Sequence, residues 1–270
     1  MLKDFVRQRS NKLFDRLKVA DLAHSIVEID AWAKQDFGRY LLRQQQLVLQ
    51  RKYSKLPGYR LMHLGLFPHA QTTVGFEHLH SFHMAPSDSV APESSVVSNY
   101  SEIPLPSGVV DVAILQHAVE YSASPQAVLA EISRVVAPGG HMLLFLFNPY
   151  GPRGLIKFPM QLVTGRTEYC FHNLRSGRVV DWLSLLNFQV LEIEHGAYNL
   201  PLTRQHRTER DSRWEKLAQK IRFPLGNFYM IHAVKRELRG IAKRAHSWRP
   251  AANSGYNSSS RKISRKNMKK

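Results

Sequence analysis

DVAILQHAVEYSASPQAVLAEISRVVAPGGHMLLFLFN, residues 111–148, decides the fold class. It opens inside VVDVAILQHA (109–118), a near-continuous run rich in branched residues, which suits a strand buried on both faces of a parallel sheet. Ser124-Pro125 then starts a helix, with a hydroxyl at the N-cap and proline at the first helical position, where its missing N–H is not needed. Val128, Leu129, Ile132, Val135 and Val136 form one apolar face of that helix. Ala137-Pro-Gly-Gly140 ends it, and HMLLFLF (141–147) reads as a second buried strand.

The same alternation extends in both directions. Upstream, DFGRYLLRQQQLVLQRKYSK (36–55) reads as a helix with Leu41, Leu42, Val48 and Leu49 as its apolar stripe, Gln and Arg on the other side, and Pro57-Gly58 as its stop. YRLMHLG (59–65) reads as the first strand; shorter strands are expected near His80–Met84 and Ser95–Ser98, with a Pro/Gly loop over 103–108. Downstream, Asp181–Leu186 reads as a short helix, FQVLEIEH (188–195) as a strand, and NFYMIHAVKR (227–236) as the strand that closes the domain. Strands alternating with helices predict an α/β fold with a largely parallel sheet. Ligands of such a sheet bind beyond the carboxyl ends of the strands, where the strand order reverses, so the turns after Leu64, His83 and Gln116 and around Asn99 are the places to look.

Composition narrows the partners. The chain has 270 residues, 43% of them hydrophobic, enough for one large domain with appendages. We read 1–34 as a partly helical extension, 35–240 as the domain and 241–270 as a basic tail, disordered beyond about Trp248. Of the net charge of +17, residues 235–270 supply +11, from twelve Lys or Arg against one acid. A tail of that charge can hold nucleic acid or an anionic surface non-specifically by releasing counterions. No apolar stretch approaches the roughly 20 residues of a membrane span, and charges interrupt the N-terminus too often for a signal peptide. The single cysteine, Cys170, excludes an intramolecular disulfide and a cysteine-rich zinc site, and a reducing, cytoplasmic setting is expected.

Residues 111–148 closely resemble the unit from the fourth to the fifth strand of class I S-adenosylmethionine-dependent methyltransferases of the methyltransferase type 11 kind. The resemblance rests on Asp111, His117, Arg134-Val135-Val136 and Pro138-Gly139-Gly140. FGRYLLRQQQ (37–46), GYRLMHLG (58–65), NPYGPRGL (148–155) and DWLSLLNFQVL (181–191) look like a bacterial group of that kind with no settled substrate. The resemblance implies a Rossmann-like sheet of seven strands, mostly parallel with the last antiparallel, helices on both faces, and S-adenosylmethionine as the cofactor donating a methyl group to an unidentified acceptor. The alternative is a non-catalytic protein of this fold that docks RNA or protein through its basic tail.

The resemblance also distributes roles. The first turn of such domains carries an acid and three glycines; here it reads His63-Leu64-Gly65-Leu66-Phe67, so only Gly65 remains and Phe67 stands where bare backbone should meet the ligand. His83 stands where the second strand ends in an acid that accepts the ribose hydroxyls. Asn99, followed by Tyr100, stands where an Asp accepts from the adenine amino group, and its carbonyl oxygen can do the same. Gln116 completes the cofactor-binding set of His63, Gly65, Phe67, His83, Asn99, Tyr100 and Gln116. His117 is the candidate catalytic residue nearest the acceptor, since its ordinary pKa suits a general base, with Glu120 and Tyr121 within one turn of it. His78-Leu-His80-Ser-Phe-His83 is similar to a metallo-β-lactamase signature, but Phe82 replaces its Asp and no metal is expected. Asn148-Pro149-Tyr150 is read as a strand-ending turn.

Overall fold

A computed structural model describes residues 19, 22–66, 75–87, 96–199 and 223–236. All of these lie in the first of two compact units, residues 1–237. Phe67 and the tail 241–270 lie outside the described residues.

In chain order the elements are α1 (Leu22–Ala33), α2 (Asp36–Lys52), β1 (Arg60–Gly65), β2 (His80–Ala85), β3 (Val96–Val97), β4 (Val110–Gln116), α3 (Pro125–Val135), β5 (Val136–Phe147), α4 (Pro152–Thr164), a 3₁₀ turn (Thr167–Tyr169), α5 (Ser176–Leu185), β6 (Phe188–Gly196) and β7 (Phe228–Lys235). The strands form one seven-stranded sheet in the order β3-β2-β1-β4-β5-β7-β6. All pairings are parallel except those of β7, which is antiparallel to both β5 and β6. The chain thus has the mostly parallel, Rossmann-like sheet with an antiparallel last strand that its sequence predicts, with helices around it. The order reverses between β1 and β4, where Gly65 pairs with Gln116, so the crevice for a ligand opens beyond those two residues.

Burial follows the apolar runs. Leu61, Met62 and Leu64 of β1, Val112–Leu115 of β4 and Leu143–Leu146 of β5 have no exposed surface. These centre strands are covered on both faces, which is why they lack polar alternation.

The junction between α3 and β5 differs from the expectation. The Ser124 hydroxyl makes no capping bond, and the helix rests on Pro125 at its first turn. It ends at Val135, and β5 begins at once with Val136. Val136 pairs with Val110, and His141 with Val112, so Ala137–Gly140 is looped out of the strand opposite Asp111. The Pro-Gly-Gly segment is therefore a bulge inside β5 rather than a helix terminator. Gly139 takes φ 78°, and a Cβ on Gly140 would come within 2.9 Å of the Asp111 and Ala137 carbonyl oxygens. Asp111 itself accepts hydrogen bonds from the Tyr59 and Arg60 amides at 2.9 Å. It ties the start of β1 to β4, at the sheet edge opposite the crevice.

Of two further helices, α1 falls in the stretch 1–34 expected to be partly helical, and α4 was not expected. α1 buries Ile26, Ile29 and Trp32, so the packed core reaches back to Leu22. α4 buries Arg153, Gly154, Lys157 and Gln161. Asn148 closes β5 as a turn: its side-chain amide donates to the Pro224 and Gly226 carbonyls and its carbonyl oxygen accepts from the Tyr150 amide.

Candidate functional site

Two features meet at the carboxyl edge: a buried line of polar side chains and a small open pocket. The line begins in α2. Gln45 falls on the same helical face as Leu41, Val48 and Leu49 and is fully buried, contrary to the expectation that the glutamines face outward. The Gln116 amide donates to Gln45 Oε1 at 2.6 Å, and Gln45 Nε2 lies 2.6 Å from His117 Nε2. An amide nitrogen can only donate, so His117 Nε2 is the acceptor and the ring proton sits on Nδ1. That nitrogen is 2.7 Å from Glu120 Oε1, which also accepts from the Phe147 amide at 3.0 Å. Every bond from Gln116 through Gln45 and His117 thus points its hydrogen towards the Glu120 carboxylate. The other carboxylate oxygen, Oε2, is buried and has no hydrogen-bond partner.

His117 follows the last residue of β4 with φ 59°, a strained conformation for a residue with a Cβ, and its ring stacks on Phe147 with centroids 4.1 Å apart. The backbone strain and stacking turn the imidazole inward, where it is fully buried with both nitrogens engaged. The sequence expectation had placed it facing an acceptor.

His63 and His83 form a second pair, Nδ1 to Nδ1 at 2.7 Å, on adjacent strands in register. One ring must donate and the other accept, so at least the accepting ring is neutral. Burial, then the neighbouring His83, holds His63 well below the usual histidine range, and burial lowers His83. β2 runs two residues beyond His83, and Pro86, rather than His83, reaches the pocket. Tyr100 is buried, with its hydroxyl 2.8 Å from the Gly65 carbonyl and 2.9 Å from that of Met84, and it clamps the ends of β1 and β2 together. A Cβ on Gly65 would lie 3.0 Å from the His63 ring, so the surviving glycine leaves room for that ring.

The pocket, about 260 Å³, is lined by Leu22, Pro86, Asn99–Ser101 and Ser122–Ser124, the turns after β2, β3 and β4. Asn99 is exposed, and its Oδ1 already accepts from the Ser101 amide and hydroxyl at 3.1 and 2.9 Å. A carbonyl oxygen has two lone pairs, so this arrangement orients Asn99 and occupies it. The structure therefore brings Gly65 and Tyr100 together, and Gln116 with His117. It sets Asn99 on the pocket wall and keeps His63 and His83 behind it.

Behind Phe147 lies a cluster that the sequence reading did not single out. The Arg153 guanidinium is buried over the rings of Trp32 (4.1 Å), Phe147 (4.6 Å) and Tyr169 (5.1 Å), and donates to the Glu168 carbonyl at 2.7 Å. One turn on, the Lys157 ammonium donates to the Phe171 carbonyl and to Asn173 Oδ1, and burial pushes its pKa down to about 8. Among the described residues, no three or more His, Cys, Asp or Glu side chains are placed to hold a metal ion. Nor is any described helix long and apolar enough to cross a membrane.

Comparison with known proteins agrees with this fold. Residues 66–144 match the model of a methyltransferase domain. Over 175 residues, 65% of this chain and 71% of the relative, the sequence is 25% identical to the uncharacterized protein YafS of Escherichia coli K12. Among solved structures, a Thermotoga maritima protein described as a SAM-dependent methyltransferase and possible histamine N-methyltransferase superposes with TM-score 0.61. The two are 14% identical, and the match covers 80% of this chain and all of that one. A SAM-dependent methyltransferase from Archaeoglobus fulgidus gives TM-score 0.54 at 16% identity, over 76% of this chain and 98% of its own.

Proposed function

We propose, from the premise that this chain carries a class I S-adenosylmethionine-dependent methyltransferase domain, that it moves a methyl group from S-adenosylmethionine to an acceptor of still unassigned chemistry. The observation that carries the reading is the pocket at the carboxyl edge, lined by the turns after β2, β3 and β4 next to the β1–β4 reversal. Its wall of Ser101, Ser122 and Ser124 supplies hydroxyls, and the Asn99 amide nitrogen, whose own oxygen is held by Ser101, can donate, a set suited to a polar nucleoside. Gly65, Gln116 and Tyr100 would border the remainder of the cofactor.

When bound, the cofactor supplies a methyl group already activated on sulfonium, so the protein must chiefly position the acceptor and, where the acceptor is protonated, take its proton. In this reading His117 does not take that proton, because both its nitrogens are committed. It is a positioning residue that holds the buried Glu120 carboxylate through Oε1 behind the pocket. Gln45 fixes the His117 tautomer, and His63 with His83 contributes a neutral backing.

Isothermal calorimetry tests the reading. Saturable binding of S-adenosylmethionine and S-adenosylhomocysteine is expected, weakened about tenfold, or about 1.4 kcal/mol, by Asn99→Ala. Absence of heat with either ligand at millimolar concentrations would sink it.

A further inference from the structure

α4 is turned inside out. Its inward face carries Arg153, Lys157 and Gln161, spaced one turn apart and all buried. Its outward face carries Leu155, Phe158 and Val163, exposed by 67%, 58% and 80%, with Pro159 exposed between them. Positions 155, 158, 159, 162 and 163 are the helical repeat that would ordinarily face a core. The inversion has a cause in the cluster below it: Arg153 is held by three rings and a carbonyl, and Lys157 by a carbonyl and Asn173. Rotating the helix to bury its apolar stripe would expose those rings and strip both cations of their partners.

Exposed arginines flank the stripe. Of the three basic residues between Tyr150 and Thr167, Arg153 and Lys157 are buried beneath the helix and Arg166 reaches the surface, where the exposed Glu28 carboxylate accepts from the Thr167 hydroxyl. Arg166, just past the helix, has a side chain 63% exposed and pairs with the Glu168 carboxylate at 3.9 Å. At the other end, the Arg175 guanidinium sits 5.7 Å from the ring centroid of Tyr150, itself 51% exposed. The stripe therefore has an arginine at each end and an aromatic residue at one margin. The whole chain carries +17.

We propose that α4 is an interfacial helix that seats this protein on an anionic lipid surface. Leu155, Phe158 and Val163 enter the boundary between headgroups and acyl chains, while Arg166 and Arg175 stay at headgroup level against lipid phosphates. Charge selects this occupant: a second copy would bring the same arginine rim against its own, whereas an anionic bilayer offers an apolar layer and negative charge at the spacing the helix presents. The cationic anchoring of the inner face keeps the stripe outward before any contact with lipid.

Full-length protein, incubated with sucrose-loaded vesicles of equimolar phosphatidylglycerol and phosphatidylcholine, tests this. The wild type should sediment with them, and Leu155→Gln/Phe158→Gln should lower its partition coefficient by about tenfold or more. Both replaced side chains are exposed, so the circular dichroism spectrum should be unchanged. Residues 235–270 are basic enough to attract vesicles unaided, so a second measurement isolates the helix. An environment-sensitive fluorophore on Phe158→Cys, in a Cys170→Ser background, should shift to the blue on adding vesicles. No sedimentation of the wild type, equal partitioning of the double variant, or an unshifted fluorophore would each overturn the proposal. So would a wild-type dimer in light scattering that the double variant dissolves, because the stripe would then be covered by a second copy.

Discussion

Replacing Gln45 with leucine should cost this domain far more than its modest change in volume suggests. The leucine fits the space between Leu41 and Leu49 but neither accepts from the Gln116 amide nor donates to His117 Nε2. Two polar atoms would be left without their partners in a dry interior, at about 1–3 kcal/mol each. Allowing for relaxation and for the added apolar contact, the loss should be about 2–5 kcal/mol. For a domain of this size that corresponds to a fall of about 5–15 °C in melting temperature. The connectivity of the line adds a sharper expectation. In a His117→Phe background Nε2 no longer needs a donor, so Gln45→Leu should cost about 1–3 kcal/mol less than it does in the wild type. Chemical denaturation of the four proteins of this cycle measures that difference. If the two substitutions add within about 0.5 kcal/mol, the side chains do not act as one line, and the orientation assigned to His117 and Glu120 is wrong.

Gly140→Ala should destabilise by about 1–3 kcal/mol, because its Cβ would meet two backbone oxygens, which cannot yield as a flexible side chain can, as well as Val136 Cγ1; thermal melts read this directly. Burial, then neighbouring His141, depresses His232 to about 4. The unfolded chain therefore binds more protons between about pH 6.5 and 4, and stability should fall as pH drops through that window. His232→Gln should flatten that part of the curve, as urea titrations at stepped pH would reveal. Lys157 gives the opposite edge: with its folded value near 8, stability should climb from about pH 8 to 10.5, and Lys157→Met should remove that climb. Phe67→Gly should tighten cofactor binding if that side chain stands in the first turn, since glycine has no Cβ to collide with the ligand; calorimetry and melting of the same variant would separate that outcome from the loss of a packed ring.

Legibility in the sequence followed burial chemistry. β1, β4, β5 and β7 could be read because strands covered on both faces are apolar along most of their length. α4 escaped because its pattern is reversed: the buried residues are an arginine, a lysine and a glutamine, and periodicity looks for the opposite. Gln45 was misplaced on the same ground, although its spacing of four from Leu41 and from Leu49 already put it on the apolar face. The Pro-Gly-Gly segment was recognisable as a break, but whether it interrupts a helix or a strand depends on Asp111 across the ladder, which no local reading contains. At the carboxyl edge, the sequence named Asn99 and Tyr100, which line the pocket there. It could not foresee that Tyr100 spends its hydroxyl joining two strands, or that His117 turns its back on the crevice, since both outcomes come from pairings distant along the chain.

The position of β7 has a consequence for how the molecule is made. The strand that fills the gap between β5 and β6 is the last of the seven to leave the ribosome, and its residues 228–234 must find 141–147 across most of the intervening chain. Until it arrives, β5 and β6 each present a bare edge with unpaired amides and carbonyls, β5 an apolar one, open to any neighbouring chain. Assembly is therefore slow by topology and exposed to mispairing while it waits. Nascent chains stalled before Lys235 should depend on chaperones and accumulate as aggregates, whereas chains released just after it should close the sheet.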